Sequence, residues 1–488
     1  MIDFAPGLEA AFAAPTAEIA LGEIALAGEL PAFLRGALYL VGPARFERGG
    51  QRYRHWLDGD GMVAALHFED GAPRAVARYV RTEKWVEEEA AGRALYRTFG
   101  TAFPGDRLRR GRALASPANV SVHPFAGRLL VFGEQGLPYD LDPVDLATRG
   151  RFDFGCLNEA TPFSAHPAVD PESGELVNFG LSFAVDRPML HLFRFDPSGD
   201  LTARSRVELG HPYSVHDFSL SQRYAVFALS PYLLDVGPLF DSGATVAESL
   251  RWHPELGACL ALVDRLSGEL VASIPIGHRY CLHQVNAFDD GGELVVDFLE
   301  LEEPVYPDYD GLPDLFLDVR PAHVVRLRVD PGAGRIVERR ESAAGLAADF
   351  PVIDSQRAGG PCETFWMLAI SRTGESGRKF FDRLQRFDWR RGGVVDEYAA
   401  SPPRYLAGEP VFVPESPGAE AGVVLCHELD VAERCSRFLV LDAFDLSRGP
   451  VAQLTMPSPL HLGFHAAYHA ATASPASRSR MPGRQEKS

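Results

Sequence analysis

The sequence predicts an all-β protein, a seven-bladed β-propeller with loops and short helices that cap one face. Three observations predict this fold: strand-like runs are short and frequent, turn residues separate them, and one hairpin unit recurs along the chain. The 488 residues include 46 Gly and 37 Pro, which supply the turns between many short strands. Because 46% of the residues are hydrophobic, the chain is able to bury a large core.

Six runs of β-branched and aromatic residues predict strands. They cover residues 37–42, 128–133, 176–183, 224–229, 294–301 and 365–370. Helix signals are few, and residues 83–95 and 247–252 are the main candidates. Residues 232–240 form an apolar stretch, which we interpret as a loop rather than a strand. We expect it to pack on the propeller as part of the cap, and the alternative is a tunnel mouth or membrane-dipping patch that collects a lipophilic substrate.

One hairpin unit recurs: an apolar strand, an Asp, a turn with Gly, and a second strand. Asp accepts backbone N–H groups in such a turn and Gly supplies positive φ. The clear copies turn at Asp196, Asp264, Asp330, Asp388 and Asp445, which are 57 to 68 residues apart. Weaker copies at Asp70 and Asp142 bring the number of hairpins to seven. This period fits a four-stranded blade with its loops, although unrelated hairpins in a β-sandwich array remain the alternative.

The repeat predicts one domain over residues 1–470, and the polar residues 471–488 predict a disordered tail. The formal net charge of −18 argues against nucleic-acid binding, which needs clustered Lys and Arg. Six scattered Cys without a CxxC pair, and no signal peptide or membrane-spanning run, favour a cytoplasmic protein. The basic residues 107–112 lie in a solvated loop or contact anionic lipid headgroups, so peripheral membrane contact stays open, as does the oligomeric state.

Four histidines occur at a similar phase of the repeat. They are His166, His216, His283 and His465, which follow a turn Asp by 19 to 24 residues, as does His469. In a propeller, this phase marks the crossover from one blade to the innermost strand of the next, so such residues converge on the axis. An all-nitrogen site suits Fe, Cu, Zn or Ni rather than Ca or Mg. The alternative for each residue is a structural histidine with satisfied hydrogen bonds.

Ten short segments, distributed along the chain up to about residue 470, are informative when they are considered together. They are LRGALYLVGPARFE (34–47), HWLDGDGMVAALHF (55–68), RYVRTEKWVEEEAAGRALYR (78–97), EQGLPYDLDPVDLAT (134–148), SAHP (164–167), HDFSLSQRYAVF (216–227), HQVNAF (283–288), DFPVID (349–354), GEPVFVP (408–414) and LGFHAAY (462–468). In this order the set resembles the carotenoid cleavage oxygenase family, and most of all its bacterial apocarotenoid oxygenases. The resemblance implies a seven-bladed propeller with Fe(II) on its axis, held by the same four histidines.

The resemblance also implies three carboxylates that accept the other ring N–H of three ligands and so fix the ring orientation. Glu134 matches the first of them. Asp349 stands where the family has Glu, so we expect it to reach its histidine only if the backbone moves in or a water bridges the gap. On the same ground we expect Asp349→Glu to retain or improve metal binding. Glu420 is the candidate for the third carboxylate, with one residue deleted from the family's motif.

The resemblance implies a non-haem Fe(II) dioxygenase that cleaves a conjugated C=C bond of a carotenoid or apocarotenoid, expected at the central 15,15' bond, with O2. The products would be two carbonyl compounds such as retinal, and the substrate a lipophilic polyene in an apolar tunnel. Leu282 and Phe464 flank ligands in sequence and are candidates for the tunnel wall. The family often has a Thr near the open coordination site, where this chain has Ala118.

Two alternatives remain open. The first is a stilbene-type (lignostilbene) α,β-double-bond dioxygenase, whose family members typically carry a Lys just before the first carboxylate. This chain has Gly133 there. The second is a propeller that binds apolar ligands without catalysis, which the altered carboxylates at positions 349 and 420 motivate.

Overall fold

The computed structural model describes residues 2–471, apart from 14–15, 70–71, 111–112, 184–186, 306–310 and 344–345. Most of the regular structure consists of seven antiparallel sheets of four or five strands, which form the blades of a propeller. The predicted seven-bladed fold is therefore confirmed. Residues 472–488, most of the predicted tail, lie outside the described residues, and the domain boundary at residue 470 stays a prediction.

Blades 1 to 5 follow one another along the chain, and their strands are given from the axis outwards. Blade 1 contains Ser121–Phe125, Arg128–Phe132, Tyr139–Leu141 and Thr148–Arg151. Blade 2 contains Ala168–Val169, Leu176–Ser182, Met189–Phe195 and Leu201–Glu208. Blade 3 contains Ser219–Leu220, Tyr224–Leu229, Ala258–Asp264 and Leu270–Gly277. Blade 4 contains Gln284–Asp290, Glu293–Glu300, His323–Asp330 and Arg335–Ala343. Blade 5 contains Ala347–Val352, Thr364–Ile370, Arg383–Asp388 and Gly393–Ala399.

Blades 6 and 7 combine strands from both ends of the chain. Blade 6 contains Arg404–Pro414, Gly422–Asp430, Cys435–Asp442, Pro450–Thr455 and, outermost, Ala25–Gly28. Blade 7 contains Ala466–Ala470, Gly36–Arg45, Asp60–Phe68, Arg74–Tyr79 and, outermost, Ile19–Glu23. The ring is therefore closed by antiparallel pairing between the two ends, in which Leu38 lies opposite Tyr468. Closure of this kind leaves only short, protected edges.

The predicted turn aspartates that the structure describes lie at the end of the third strand of their blades or in the turn that follows it. Asp196, Asp264, Asp330 and Asp388 each accept a hydrogen bond from a backbone N–H two or three residues ahead. Asp142 does the same in blade 1, from the Val144 N–H at 2.8 Å. In blade 6 the prediction of Asp445 is wrong. Asp442 accepts the Phe444 N–H at 2.9 Å, and Asp445 only begins the short 3-10 turn that follows. Asp70 lies outside the described residues.

Short helices and strand pairs lie in the connections between the strands and at the N-terminus. The α-helices are Ala10–Ala13, Glu83–Ala91 and Val246–Ser249, and Pro238–Ser242 is a π-helical turn. The 3-10 turns are Trp56–Asp58, Pro254–Leu256, Ser355–Arg357 and Leu446–Arg448. Two-stranded pairs join Glu47–Arg48 to Gln51–Arg52, Arg109–Arg110 to Ala113–Leu114, and Tyr232–Leu234 to Leu250–Trp252.

The cap is built from loops that leave the same face of the ring. Because the strands of each blade alternate in direction, the connections between second and third strands share a face with the crossovers between blades. The Ala247 N–H donates to the Phe99 carbonyl at 2.9 Å, and the Leu312 N–H donates to the Arg54 carbonyl at 2.7 Å, so the loops support one another. The prediction that residues 232–240 contain no strand is wrong, because this loop folds back and pairs with itself.

Only part of each predicted helix is helical. Of residues 247–252, the first three belong to a short helix and the rest to a strand. The helix Glu83–Ala91 begins after Thr82, whose Oγ1 accepts the Trp85 N–H at 3.0 Å, and ends at Gly92, where φ is +62°. In the described part of the chain, no helix combines the length and apolar character that a membrane span requires. The six cysteines are free thiols.

A buried ionic network fastens the helix Glu83–Ala91 to blade 7. The Lys84 ammonium contacts Asp60 Oδ1 and Glu88 Oε2, both at 2.8 Å, and all three side chains are at most 1% exposed. Arg48 also contacts Asp60, at 2.5 Å. The carboxylates of Asp60 and Glu88 therefore depend on these two cations for compensation.

We expect Lys84→Met to lower the free energy of unfolding by about 3–5 kcal/mol, because it leaves two buried carboxylates without their ammonium partner. Urea denaturation of the purified variant measures this loss. The control is Arg52→Ala, which breaks a pair with Glu47 whose side chains are 81% and 46% exposed. Exposed pairs contribute about 0–1 kcal/mol, so an equally small effect of Lys84→Met would contradict the role given to the network.

Candidate metal centre

Four histidines from four blades converge at the propeller axis. His166, His216, His283 and His465 precede the innermost strands of blades 2, 3, 4 and 7 by one to three residues. One ring nitrogen from each lies within 4.8 Å of the others, and two of these nitrogens, both Nε2, are 2.9 Å apart. The structure thus brings together the set that the repeat phase singled out. Metal binding by these residues stays a prediction.

Three of the histidines turn their Nδ1 atom towards a carboxylate. His216 Nδ1 lies 2.9 Å from Glu134 Oε1, and His283 Nδ1 lies 2.6 Å from Asp349 Oδ1. His465 Nδ1 lies 3.4 Å from a carboxylate oxygen of a residue in blade 6. An Nδ1–H that donates to a carboxylate leaves the Nε2 lone pair free to bind a metal ion and fixes the plane of the ring.

Asp349 reaches His283 directly, although its side chain is one methylene shorter than Glu. The backbone makes up the difference: Phe350 has φ of +51°, and the pairing of this strand with its neighbour shifts register between Asp349 and Val352. Asp349 Oδ1 also accepts the Phe350 N–H at 2.8 Å. The expectation of a backbone that moves in agrees with this geometry, and no bridging water is needed.

The carboxylate beside His465 belongs to Glu409, and the prediction of Glu420 does not agree with the structure. Glu420 is exposed in the turn between the first two strands of blade 6. Glu409 lies where the innermost strand bulges, next to Gly408 at φ of +82°. Its Oε2 accepts the Ala466 N–H at 3.1 Å and its N–H donates to the Phe464 carbonyl at 2.6 Å. Glu409 therefore holds the chain on both sides of the histidine.

A sequence signal for Glu409 existed. It follows the turn residue Asp388 by 21 residues, within the interval that identifies the histidines, just as Asp349 follows Asp330 by 19. The interval that identifies the histidines therefore also identifies the carboxylates Glu409 and Asp349. Glu134 lies at a different place in its blade, in the connection after the second strand of blade 1.

Burial and neighbouring charges shift the protonation of two ligand candidates in opposite directions. Burial and the charges of the other imidazoles lower the pKa of His166 well below its usual value. Burial also disfavours the charged form of His283, but the Asp349 carboxylate outweighs it and raises the pKa of His283 to about 9. Because a metal ligand must be unprotonated at the binding nitrogen, a metal ion bound at His283 would have to displace a proton.

The donor set fits a transition-metal ion. His283 Nε2 is buried and, among the described residues, has no hydrogen-bond partner. The four candidate nitrogens lie within 4.8 Å of one another, a spread that would suit one ion with metal–nitrogen bonds of about 2.1 Å. Four neutral nitrogens suit Fe, Cu, Zn or Ni. The residues present therefore fit the iron that the family resemblance implies.

The histidines lie between a large channel and an aromatic wall. The channel has a volume of about 1180 Å³, and His123, Asp217 and Glu409 are among its lining residues. On the other side, the Phe350 ring centroid lies 5.5 Å from that of His283 and 5.3 Å from that of His465. A second, apolar cavity of about 40 Å³ reaches Asp349. Its apolar lining residues are Leu301, Val305, Phe316, Val319, Ala347, Ala348, Ile370 and Phe381.

The other residues that the sequence singled out lie farther into the core. Leu282 belongs to a buried cluster with Tyr232, and the Phe464 ring lies 4.5 Å from that of Trp56. Neither is among the lining residues of the two cavities. Ala118 is fully buried, with φ of +49°.

Comparisons with known proteins agree along nearly the whole chain. The family model described as retinal pigment epithelial membrane protein (RPE65) matches residues 12–470. Apocarotenoid-15,15'-oxygenase of Synechocystis sp. is 31% identical over 89% of this chain and 91% of its own length. Lignostilbene-alpha,beta-dioxygenase isozyme III of Sphingomonas paucimobilis is 27% identical over 91% of this chain and 92% of its own. The crystal structure of cobalt-substituted Synechocystis apocarotenoid oxygenase superimposes with a TM-score of 0.84 and 28% identity, over 95% of this chain and 98% of that chain.

We expect Glu409→Gln to weaken metal binding roughly 10- to 100-fold, because the carboxylate that orients the His465 ring is lost. Glu420→Gln is the matched control and should bind with unchanged affinity. Titration of the metal-free variants with Co(II) measures both. If the two substitutions exchanged these outcomes, the assignment of Glu409 would be wrong.

His283→Ala should abolish stoichiometric metal binding, since it removes one nitrogen of the set. Asp349→Glu should now weaken binding rather than improve it, because the bulge already places the shorter side chain 2.6 Å from the ring. Metal content after loading and gel filtration tests both expectations. Tighter binding by Asp349→Glu would show that the contact is strained in the natural protein.

Proposed function

The chain belongs to the RPE65 family of carotenoid cleavage oxygenases, and we propose that it is a non-haem Fe(II) dioxygenase acting on an apocarotenoid. The reaction would cleave one conjugated C=C bond of the substrate, the central 15,15' bond. One O2 supplies one oxygen atom to each fragment, so the products are two carbonyl compounds such as retinal and a shorter aldehyde.

The observation that carries this proposal is the four-histidine cluster at the edge of an aromatic wall. His166, His216, His283 and His465 would hold the iron, which supplies the capacity to bind and activate O2 when present. Oxygenase relatives with this substrate and a cobalt-substituted relative of the same fold support the assignment.

The protein's own residues orient the ligands and exclude water. Glu134, Asp349 and Glu409 accept or face the Nδ1 side of their histidines, so each ring presents Nε2 to the centre. Phe350 and Phe381, with ring centroids 5.7 Å apart, form an apolar surface against which a polyene can pack. An apolar wall also keeps water from the reacting double bond.

Gly133 favours a polyene over a hydroxystilbene. Stilbene-cleaving members typically have Lys at this position, next to Glu134. A Cβ on Gly133 would lie 2.2 Å from Ser116 Oγ and 3.3 Å from the Ala118 nitrogen. The local packing therefore has no room for a lysine stem unless Ser116 moves. A stilbene-type activity stays the second candidate because lignostilbene dioxygenase is among the relatives.

The decisive experiment gives the Fe(II)-loaded protein an apocarotenal and a hydroxystilbene in parallel and identifies the products by mass. We expect loss of polyene absorbance and a product of retinal length. Cleavage of the stilbene alone would replace the first candidate with the second. A normally folded protein that cannot be loaded with iron would instead support a propeller that binds apolar ligands without catalysis.

We also propose a cytoplasmic location with peripheral membrane contact through the cap. The two segments that the sequence singled out meet at the surface: the Arg109 guanidinium lies 5.1 Å from the centroid of the Phe240 ring, and Phe240 is 53% exposed. Leu114, 38% exposed, follows in the same hairpin as Arg109. An apolar tip beside a basic group suits an interface with anionic lipids.

Phe240→Ser should reduce co-sedimentation with vesicles that contain anionic lipid, because it removes the apolar group that would enter the bilayer surface. Leu266→Ser is the control: Leu266 is 81% exposed but lies in the outer turn of blade 3, on the face opposite the cap. Equal effects of the two substitutions, or no binding by the natural protein, would contradict membrane contact through the cap.

A further inference from the structure

Asp217 lies where three of the four histidine-bearing segments meet. It directly follows His216 in the chain. Its Oδ1 accepts the Phe218 N–H at 2.7 Å, and its Oδ2 accepts the N–H of Gln284, the residue after His283, at 2.8 Å. The two backbone donors hold the carboxylate in one orientation, and its side chain is only 14% exposed.

The same carboxylate faces the fourth histidine. Asp217 Oδ1 lies 3.7 Å from His166 Nδ1, while His166 Nε2 lies 2.9 Å from His216 Nε2. His166 thus has the arrangement of the other three ligands, with Nδ1 towards a carboxylate and Nε2 towards the cluster. At 3.7 Å the contact is electrostatic and longer than a hydrogen bond. Its strength comes from the low local dielectric around a largely buried pair.

We propose that Asp217 is a fourth positioning carboxylate of the metal centre, acting through His166. It favours the orientation in which the Nδ1 side of His166 faces outwards, and through Gln284 it fixes the distance between the segments of His216 and His283. The inference deepens the proposed function, since it concerns the same site. It assigns Asp217 no contact with the substrate.

Replacement of Asp217 should therefore alter the metal site while the fold persists. We expect Asp217→Asn to lower Co(II) affinity roughly 10- to 100-fold and to change the visible absorption spectrum of the Co(II)-loaded protein, since a ligand ring is freed to rotate. The melting temperature of the metal-free variant should stay near that of the natural protein. A purely structural role would lower that temperature and leave the Co(II) spectrum unchanged.

Asp354→Asn is the matched control. Asp354 is also a buried carboxylate, 5% exposed, that accepts a backbone N–H, from Gln356 at 3.0 Å, in a turn of blade 5. This variant should keep both the Co(II) affinity and the spectrum. If Asp217→Asn behaved like the control, the proposal would be overturned.

A second variant keeps the test decisive if Asp217→Asn folds poorly. Asp217→Glu retains the charge but displaces it by one methylene, and should bind Co(II) with an affinity between those of the natural protein and Asp217→Asn. An unchanged Co(II) spectrum in both Asp217 variants would overturn the route through His166.

These measurements are separate from the test of the proposed function, because Co(II) binding needs no substrate. A natural protein that binds Co(II) but cleaves neither substrate would contradict the oxygenase proposal and leave the role of Asp217 supported by its own variants. A natural protein that binds no Co(II) would overturn the role of Asp217.

Discussion

The contact between an imidazole Nδ1 and a neighbouring carboxylate is the interaction on which the rest of the centre depends. Four imidazoles within a few ångströms of one another repel when protonated, and burial opposes their charge further. A carboxylate on the outer side of a ring favours the orientation in which Nδ1 faces that carboxylate and Nε2 faces the centre. The shortest of these contacts, His283 to Asp349 at 2.6 Å, also shows that carboxylate length is secondary to backbone placement. A positive φ at Phe350 and a bulge at Glu409 serve the same end.

The propeller gives the centre two unlike environments. On one side a large channel along the axis is lined by apolar side chains together with ionisable and amide groups. On the other side Phe350 lies against two of the histidines and leads to Phe381 and Phe316. The cap loops support that side, since their backbone hydrogen bonds join segments that are far apart in sequence.

The fold was predictable because its signal is local and repeated, whereas parts of the site depend on single backbone conformations. Asp and Gly mark each outer turn, and a nearly constant chain length from that turn to the next innermost strand places the histidines. Glu409 obeys the same spacing as the histidines and Asp349, whereas the family's motif with one residue deleted points to Glu420. The residue type at position 350 does not predict a left-handed backbone conformation. The direct contact between Asp349 and His283 was therefore predictable only on the condition that the backbone moves towards the ring. In blade 6, Asp442 and Asp445 both lie near the same turn, and the local sequence does not show which side chain accepts the backbone N–H.

Closure of the ring by both ends of the chain also sets an order of events during synthesis. Blade 7 takes its four outer strands from residues 19–79 and its innermost strand from residues 466–470. While the ribosome is still adding blades, the N-terminal strands have no partner until residues 466–470 are translated, and His465 directly precedes that strand. A chain that stops before His465 has three of the four nitrogens and an open ring. Assembly of the four-histidine cluster therefore requires translation through residue 470, and a product truncated before that point carries no assembled centre.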